Sequence, residues 1–200
     1  NSELSSSINQ WSSSITAASA GLTSINKIRY VGAQSGVILA GDKVAYKANT
    51  SITLTGLSGG WTTYSIAGST PNVSDAWFST TTGWLLQIGS NVYKATANPQ
   101  LLTLTVGTAS ISNVHSLYMA GSTVYALLNT GGISKTTNGT SWTAISALPA
   151  TLSTLNSLAI SADNNMAAVF NTGAIYKYTG SWSNNISSNV VPSPLKAIVS

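Results

Sequence analysis

The sequence predicts an all-β fold, a β-propeller of about five four-stranded blades. Three observations predict it. A unit of roughly forty residues recurs along the chain. Within it, short apolar runs are bounded by Gly, Asn and Asp. A tryptophan returns near the end of most units.

Each unit opens with a short apolar run: "IRYVG" (28–32), "DAWFS" (75–79), "SLYMA" (116–120), "SLAIS" (157–161) and "KAIVS" (196–200). Their starts are 47, 41, 41 and 39 residues apart. A buried strand reads this way. A second strand follows the first four: "GVILAGD" (36–42), "GWLLQIGS" (83–90), "TVYALLNTG" (123–131) and "NMAAVFNTG" (165–173). A tight turn leads to a third: "VAYK" (44–47), "NVYK" (91–94), "GISK" (132–135) and "AIYK" (174–177). The fourth starts at a tryptophan in "WTTYSI" (61–66), "WTAIS" (142–146) and "WSNNI" (182–186). In the second unit "LLTLTV" (101–106) takes that place, with a leucine in the tryptophan slot.

The ends fit the same scheme. "ELSSSINQW" (3–11) superposes on "AIYKYTGSW" (174–182) at the same distance from tryptophan. The expectation is one domain over 1–200, with blades near 26–66, 73–106, 114–146 and 155–190. Residues 195–200 and 1–16 would share the closing blade, which removes a free sheet edge. That blade has no second strand in the sequence. A fragment, a strand from another chain or segment, or a larger ring would each account for the gap. The start "NSELSSS", without Met, suggests a processed or excised chain.

The repeated positions carry structural roles. Lys47, Lys94, Lys135 and Lys177 share one place at the end of the third strand, where a flexible ammonium can protect an edge. Trp11, Trp61, Trp142 and Trp182 share another, and are expected to pack between blades. In "KTTNGTSW" (135–142), Asn138-Gly139 is a turn signal and Asn138 can bond the turn backbone.

These residues resemble the Asp-box (BNR repeat) of sialidase-like and sortilin-like propellers. Thr136, Asn138, Gly139 and Trp142 match its Ser/Thr, Asp, Gly and Trp places, with Asn for Asp and a turn one residue shorter. The resemblance covers the repeat pattern of nearly the whole chain, and the strict motif once. It implies a structural turn away from any catalytic face.

Composition narrows the function. Only 6% of residues are charged, against about 25% in an ordinary soluble domain. With 33 serines and 25 threonines, the polar surface is hydroxyl and amide rather than ionic. Such surfaces suit extracellular, cell-surface or virion proteins. The net charge of +4 comes from scattered residues without a Lys/Arg run, so no nucleic-acid partner is expected. No apolar stretch is long enough to span a membrane. There are no cysteines and one histidine, so neither a metal site nor a cofactor is expected. Sequons stand at Asn49, Asn72, Asn138 and Asn185.

Catalysis is not expected. A sialidase-like site needs an arginine cluster, and Arg29 is the one arginine. An ordinary glycosidase needs two carboxylates across the scissile bond. The inventory is Glu3, Asp42, Asp75 and Asp163. Asp42 and Asp163 fall in turns, and Asp75 starts an inner strand where it could face the central channel. His115 alone would have to serve a hydrolytic triad.

Recognition is expected instead. Sugars stack on exposed rings and bond to amides and hydroxyls. Candidate ligand contacts are Trp77, Trp84, Tyr46, Tyr93 and Tyr176, with Asp75 and His115. The first reading is a lectin-like or adhesin-like propeller that binds a glycan or cell-surface ligand. The second is a structural surface subunit of a virion, appendage or envelope that contacts neighbouring protein subunits. The third is a fragment of a glycosidase propeller.

Overall fold

A computed structural model describes residues 16–30, 36–48, 60–68 and 72–186. The expected split blade, with Trp11, lies outside these residues, apart from Thr16. The chain divides into two compact units, residues 1–109 and 110–200. All long elements among the described residues are strands.

In the first unit, β1 (Ile25–Tyr30), β2 (Val37–Gly41), β3 (Val44–Lys47) and β4 (Thr62–Ile66) form an antiparallel meander. A second meander consists of β5 (Val73–Ser79), β6 (Gly83–Ile88), β7 (Asn91–Asn98) and β8 (Thr103–Ile111). Their outer strands β4 and β8 pair in parallel, Ser65 opposite Thr103 and Ile66 opposite Leu104, giving one eight-stranded sheet. The first strands β1 and β5 also pack together. In the second unit, β9 (Val114–Ala120), β10 (Thr123–Leu128), β11 (Gly132–Thr136) and β12 (Thr143–Ala147) form one four-stranded sheet. Another consists of β13 (Leu155–Ile160), β14 (Met166–Phe170), β15 (Ile175–Tyr178) and β16 (Trp182–Ile186). Single 3-10 turns occur at Ala18–Ala20 and Leu152–Thr154.

The second strand of each meander explains its unbroken apolar run. It is hydrogen-bonded on both sides and covered on both faces. All five residues of β2 are buried, as are the central four of β6 and of β10. One core cluster of the first unit gathers Ala20, Leu22, Val37, Leu39 and Ala45, with Trp61 against it. In the second unit Tyr125, Leu127, Ile133, Leu158, Met166 and Phe170 form the corresponding core, with Trp182 against it. Gly41 is dictated by close approach, since a Cβ there would lie 1.9 Å from the Ser24 carbonyl oxygen.

Three details differ from the expectation. Leu101, placed in the tryptophan slot, is 70% exposed in the β7–β8 turn, and β8 begins two residues later. Lys135 does not merely guard an edge. Its ammonium donates to Asn164 Oδ1 at 2.8 Å in the β13–β14 turn, where Tyr125 Oη also donates at 3.0 Å. Asp75 is buried on β5 and accepts from Arg29 on β1, Nε to Oδ1 at 2.8 Å and Nη2 to Oδ2.

The tryptophan turn is built from its own side chains. Thr136 Oγ1 accepts the Gly139 N–H at 2.9 Å, and Asn138 Oδ1 accepts the N–H groups of Thr140 and Ser141, each at 2.9 Å. Gly139 stands at φ +75°, a left-handed conformation that glycine adopts without cost from a Cβ. The indole of Trp142 then donates to Ser110 Oγ at 3.2 Å. Trp182 repeats the move, donating to Ser146 Oγ at 3.0 Å and to the Ala147 carbonyl at 2.6 Å on β12.

Candidate functional site

Strand direction decides which segments can meet. In the β9–β12 sheet, Val114 pairs with Leu128, and Gly132 with Ala147. The start of β9, the β10–β11 turn and the exit from β12 therefore share one edge of the sheet. The Thr136–Trp142 turn lies at the other edge, because Lys135 pairs with Thr143.

At the first edge a cleft of about 530 Å³ opens, lined by His115, Asn129, Thr130, Thr151, Leu152 and Ser153. Its walls are braced. Asn113 adopts φ 63°, which Asn tolerates in a turn, and its carbonyl accepts the Asn129 N–H at 2.8 Å. Its Oδ1 accepts Asn129 Nδ2 at 3.0 Å. Opposite, the Leu152–Thr154 turn is closed by Thr154 N and Oγ1 donating to the Thr151 carbonyl at 3.0 and 2.8 Å. Asn171 N binds the Thr154 carbonyl at 2.8 Å and ties this turn to the end of β14. Val114 and Leu117 are buried while His115 is exposed, so β9 anchors the imidazole at the cleft.

The lining is an imidazole, an amide, three hydroxyls and one leucine, with no carboxylate or ammonium. It offers donors and acceptors for a neutral polyhydroxylated ligand, and Leu152 for an apolar face. No aromatic ring is among the lining residues, although ring stacking was the expectation.

Of the seven expected contacts, His115 alone lines this cleft. Trp84 and Tyr46 do come together, in the first unit, but as packing. Trp84 is 5% exposed, with Phe78, Tyr64 and Tyr46 at ring distances of 4.9, 5.6 and 5.8 Å. Burial, with a smaller push from Tyr64, raises the Tyr46 phenol above its ordinary value. Trp77 is buried on β5. Tyr93 is half-buried and Asn91 Nδ2 reaches its hydroxyl at 3.5 Å. Tyr176 is half-buried against Phe170, perpendicular at 5.6 Å. Asn129, Thr130, Thr151, Leu152 and Ser153 escaped the sequence reading. The signal that could have found them is the alternation of strand direction, which brings the "NTG" turn and the 148–154 connection beside His115.

Two of the four carboxylates are held by structural bonds. Asp75 is held by Arg29. Burial tends to raise the Asp42 pKa, but hydrogen bonds from Thr23 N at 2.7 Å and Ser24 N at 3.1 Å outweigh it and leave the pKa lowered. Asp163 is exposed in the β13–β14 turn. Glu3 lies outside the described residues. Among the described residues no three His, Asp or Glu side chains gather as metal ligands.

No family model matches the chain, and no curated protein matches it. Solved structures do. It is similar to YCF48 bound to D1 peptide, with 15% identity and a TM-score of 0.50 over 82% of this chain and 54% of that one. It is also similar to the extracellular domain of a B. thetaiotaomicron protein described as a one-component system. There the identity is 15% and the TM-score 0.52, over 84% of this chain and 25% of that one. The chain thus spans about half of the first structure's length and a quarter of the second's. At such identity the likeness bears on fold alone, and it supports an all-β chain of propeller-like four-stranded meanders.

Proposed function

We propose that this chain is a non-catalytic recognition propeller that works outside the cell or on a surface and binds a neutral glycan at the His115 cleft. The observation that carries the reading is the cleft lining: His115, Asn129, Thr130, Thr151 and Ser153 offer bonds to sugar hydroxyls, Leu152 packs against a ring face, and no carboxylate stands ready for acid–base work. The test is a glycan array with the folded chain beside His115→Ala, Asn129→Ala and Trp84→Phe. A defined neutral glycan class should bind the chain and the Trp84 variant, and binding should fall at least about tenfold, about 1.4 kcal/mol, in the two cleft variants. A blank array from folded protein, or equal binding by the cleft variants, removes the reading. Hydrolysis of a fluorogenic glycoside by the purified chain would overturn its non-catalytic part.

The second reading is a structural surface subunit. Strand β1 ends its sheet among the described residues and exposes Ile28 (59%) and Tyr30 (58%). An edge strand with exposed apolar side chains suits strand addition from a neighbouring chain. The similar YCF48 structure is itself a peptide complex. Concentration-dependent assembly lost in Ile28→Lys would favour this reading over the first.

A further inference from the structure

Four donors converge on one oxygen in the Thr136–Trp142 turn. Asn138 Oδ1 accepts from Thr136 Oγ1 at 3.1 Å, Thr140 N at 2.9 Å, Thr140 Oγ1 at 3.1 Å and Ser141 N at 2.9 Å. An amide oxygen has two lone pairs, so it cannot satisfy four donors fully. A carboxylate here would bring two oxygens and about four acceptor sites. Its bonds to the Thr140 and Ser141 N–H groups would also be charge-assisted and roughly twice as strong. The following residue is Gly139, whose missing Cβ leaves its amide nitrogen unhindered toward the Asn138 side chain. Asn138 itself is exposed.

We propose that Asn138-Gly139 is a deamidation site, and that conversion of the Asn138 amide to a carboxylate completes this turn. The Gly139 nitrogen attacks Asn138 Cγ and gives up its proton, the side-chain nitrogen leaves as ammonia, and a cyclic imide forms. Water then opens the imide. Cleavage at the side-chain carbonyl restores the backbone and leaves an aspartate. Cleavage at the main-chain carbonyl routes the chain through the side chain as an iso-aspartyl link. No oxidant or reductant takes part.

The folded turn sets when this happens. Gly139 is buried and its N–H is donated to Thr136 Oγ1 at 2.9 Å, which ties up the proton that the attack must release. The reaction therefore runs when the turn is open. Refolding selects the aspartyl product, because the iso-aspartyl link lengthens the backbone between Thr136 and Gly139 and breaks the turn's bonds.

Two measurements test this. The chain is incubated unfolded in urea at mildly alkaline pH and, in parallel, folded at the same pH. Peptide mapping by mass spectrometry then follows residues 136–142. The expected result is replacement of amide by acid at Asn138 in the unfolded sample, slow in the folded one, with the aspartyl form enriched among refolded molecules. An Asn138 that stays intact in the unfolded chain overturns the proposal. Separately, Asn138→Asp is compared with the parent chain by thermal unfolding. Its Tm should rise by about 2–4 °C near neutral pH. Hydrogen bonds to the charged form lower a carboxyl pKa, so the gain should vanish as pH falls through the folded pKa of the new aspartate. A Tm equal to or below the parent's near neutral pH overturns the proposal, as does a gain that persists in acid.

Discussion

Arg29 and Asp75, 46 residues apart in the chain, form a two-pronged ion pair between the first strands of two successive meanders. The Arg29 side chain is 19% exposed and that of Asp75 is 8% exposed, so both charges are largely withdrawn from water. Asp75 Oδ1 also accepts the Ala76 N–H at 2.9 Å, which fixes the carboxylate against its own strand.

Removing either side chain takes the two-pronged pairing away from the other, largely buried, charge. Arg29→Ala or Asp75→Ala should cost about 3 kcal/mol, the lower end of the range for a buried pair, because water reaches the guanidinium. The double variant Arg29→Met, Asp75→Leu should recover much of that loss. Urea unfolding midpoints measure both. Single variants no worse than the double would show that the pair does not act as a unit.

The two indoles predict an ordered pair of effects. Trp182→Phe keeps most of the apolar surface but gives up bonds to Ser146 Oγ and the Ala147 carbonyl. Trp142→Phe gives up one bond, to Ser110 Oγ. The single Nε1–H of Trp182 is shared between two acceptors, and its loss leaves both without that donor, so Trp182→Phe should be the more destabilising, by less than about 1 kcal/mol. Chemical denaturation of both variants side by side decides the order.

Trp84 is a packing residue. Trp84→Ala removes a ring that touches Phe78, Tyr64 and Tyr46, and should cost about 3–5 kcal/mol through the cavity it leaves. Trp84→Phe should be far milder. If the folded Phe variant lost glycan binding, Trp84 would be a ligand contact rather than packing.

Stability should fall in alkali through two tyrosines. Burial is the larger cause raising the pKa of Tyr46 and Tyr125 above 10.0, helped by Tyr64 and by Asp163 respectively. The unfolded phenols ionise first. Their stabilisation is therefore whole below about pH 10 and is lost as pH rises through the raised folded values. Tyr125→Phe gives up the 3.0 Å bond to Asn164 at neutral pH. It should nevertheless flatten the alkaline limb of a plot of Tm against pH.

The sequence by itself determined the strands. Their period, the apolar runs of β2, β6 and β10, and the turn residues are local properties, because a strand buried on both faces and a left-handed turn each restrict residue type at the place itself. The bonds of the Thr136–Trp142 turn were legible for the same reason, since donors and acceptors lie within a few residues. Only the tertiary structure decided which strands are neighbours and what the polar side chains do there. Asp75 read as an inner-strand carboxylate that could face the channel because its partner lies 46 residues away. Lys135 read as an edge cation because Asn164 lies 29 residues on. The parallel pairing of β4 with β8 leaves no local trace, since Ser65 and Thr103 need only be compatible with a sheet. The His115 cleft joins three separate segments, each of which taken alone is an ordinary turn or strand start. Periodicity reports how one segment is buried. It carries no information about which distant side chain completes a charge or a wall, and that is settled when the sheets pack.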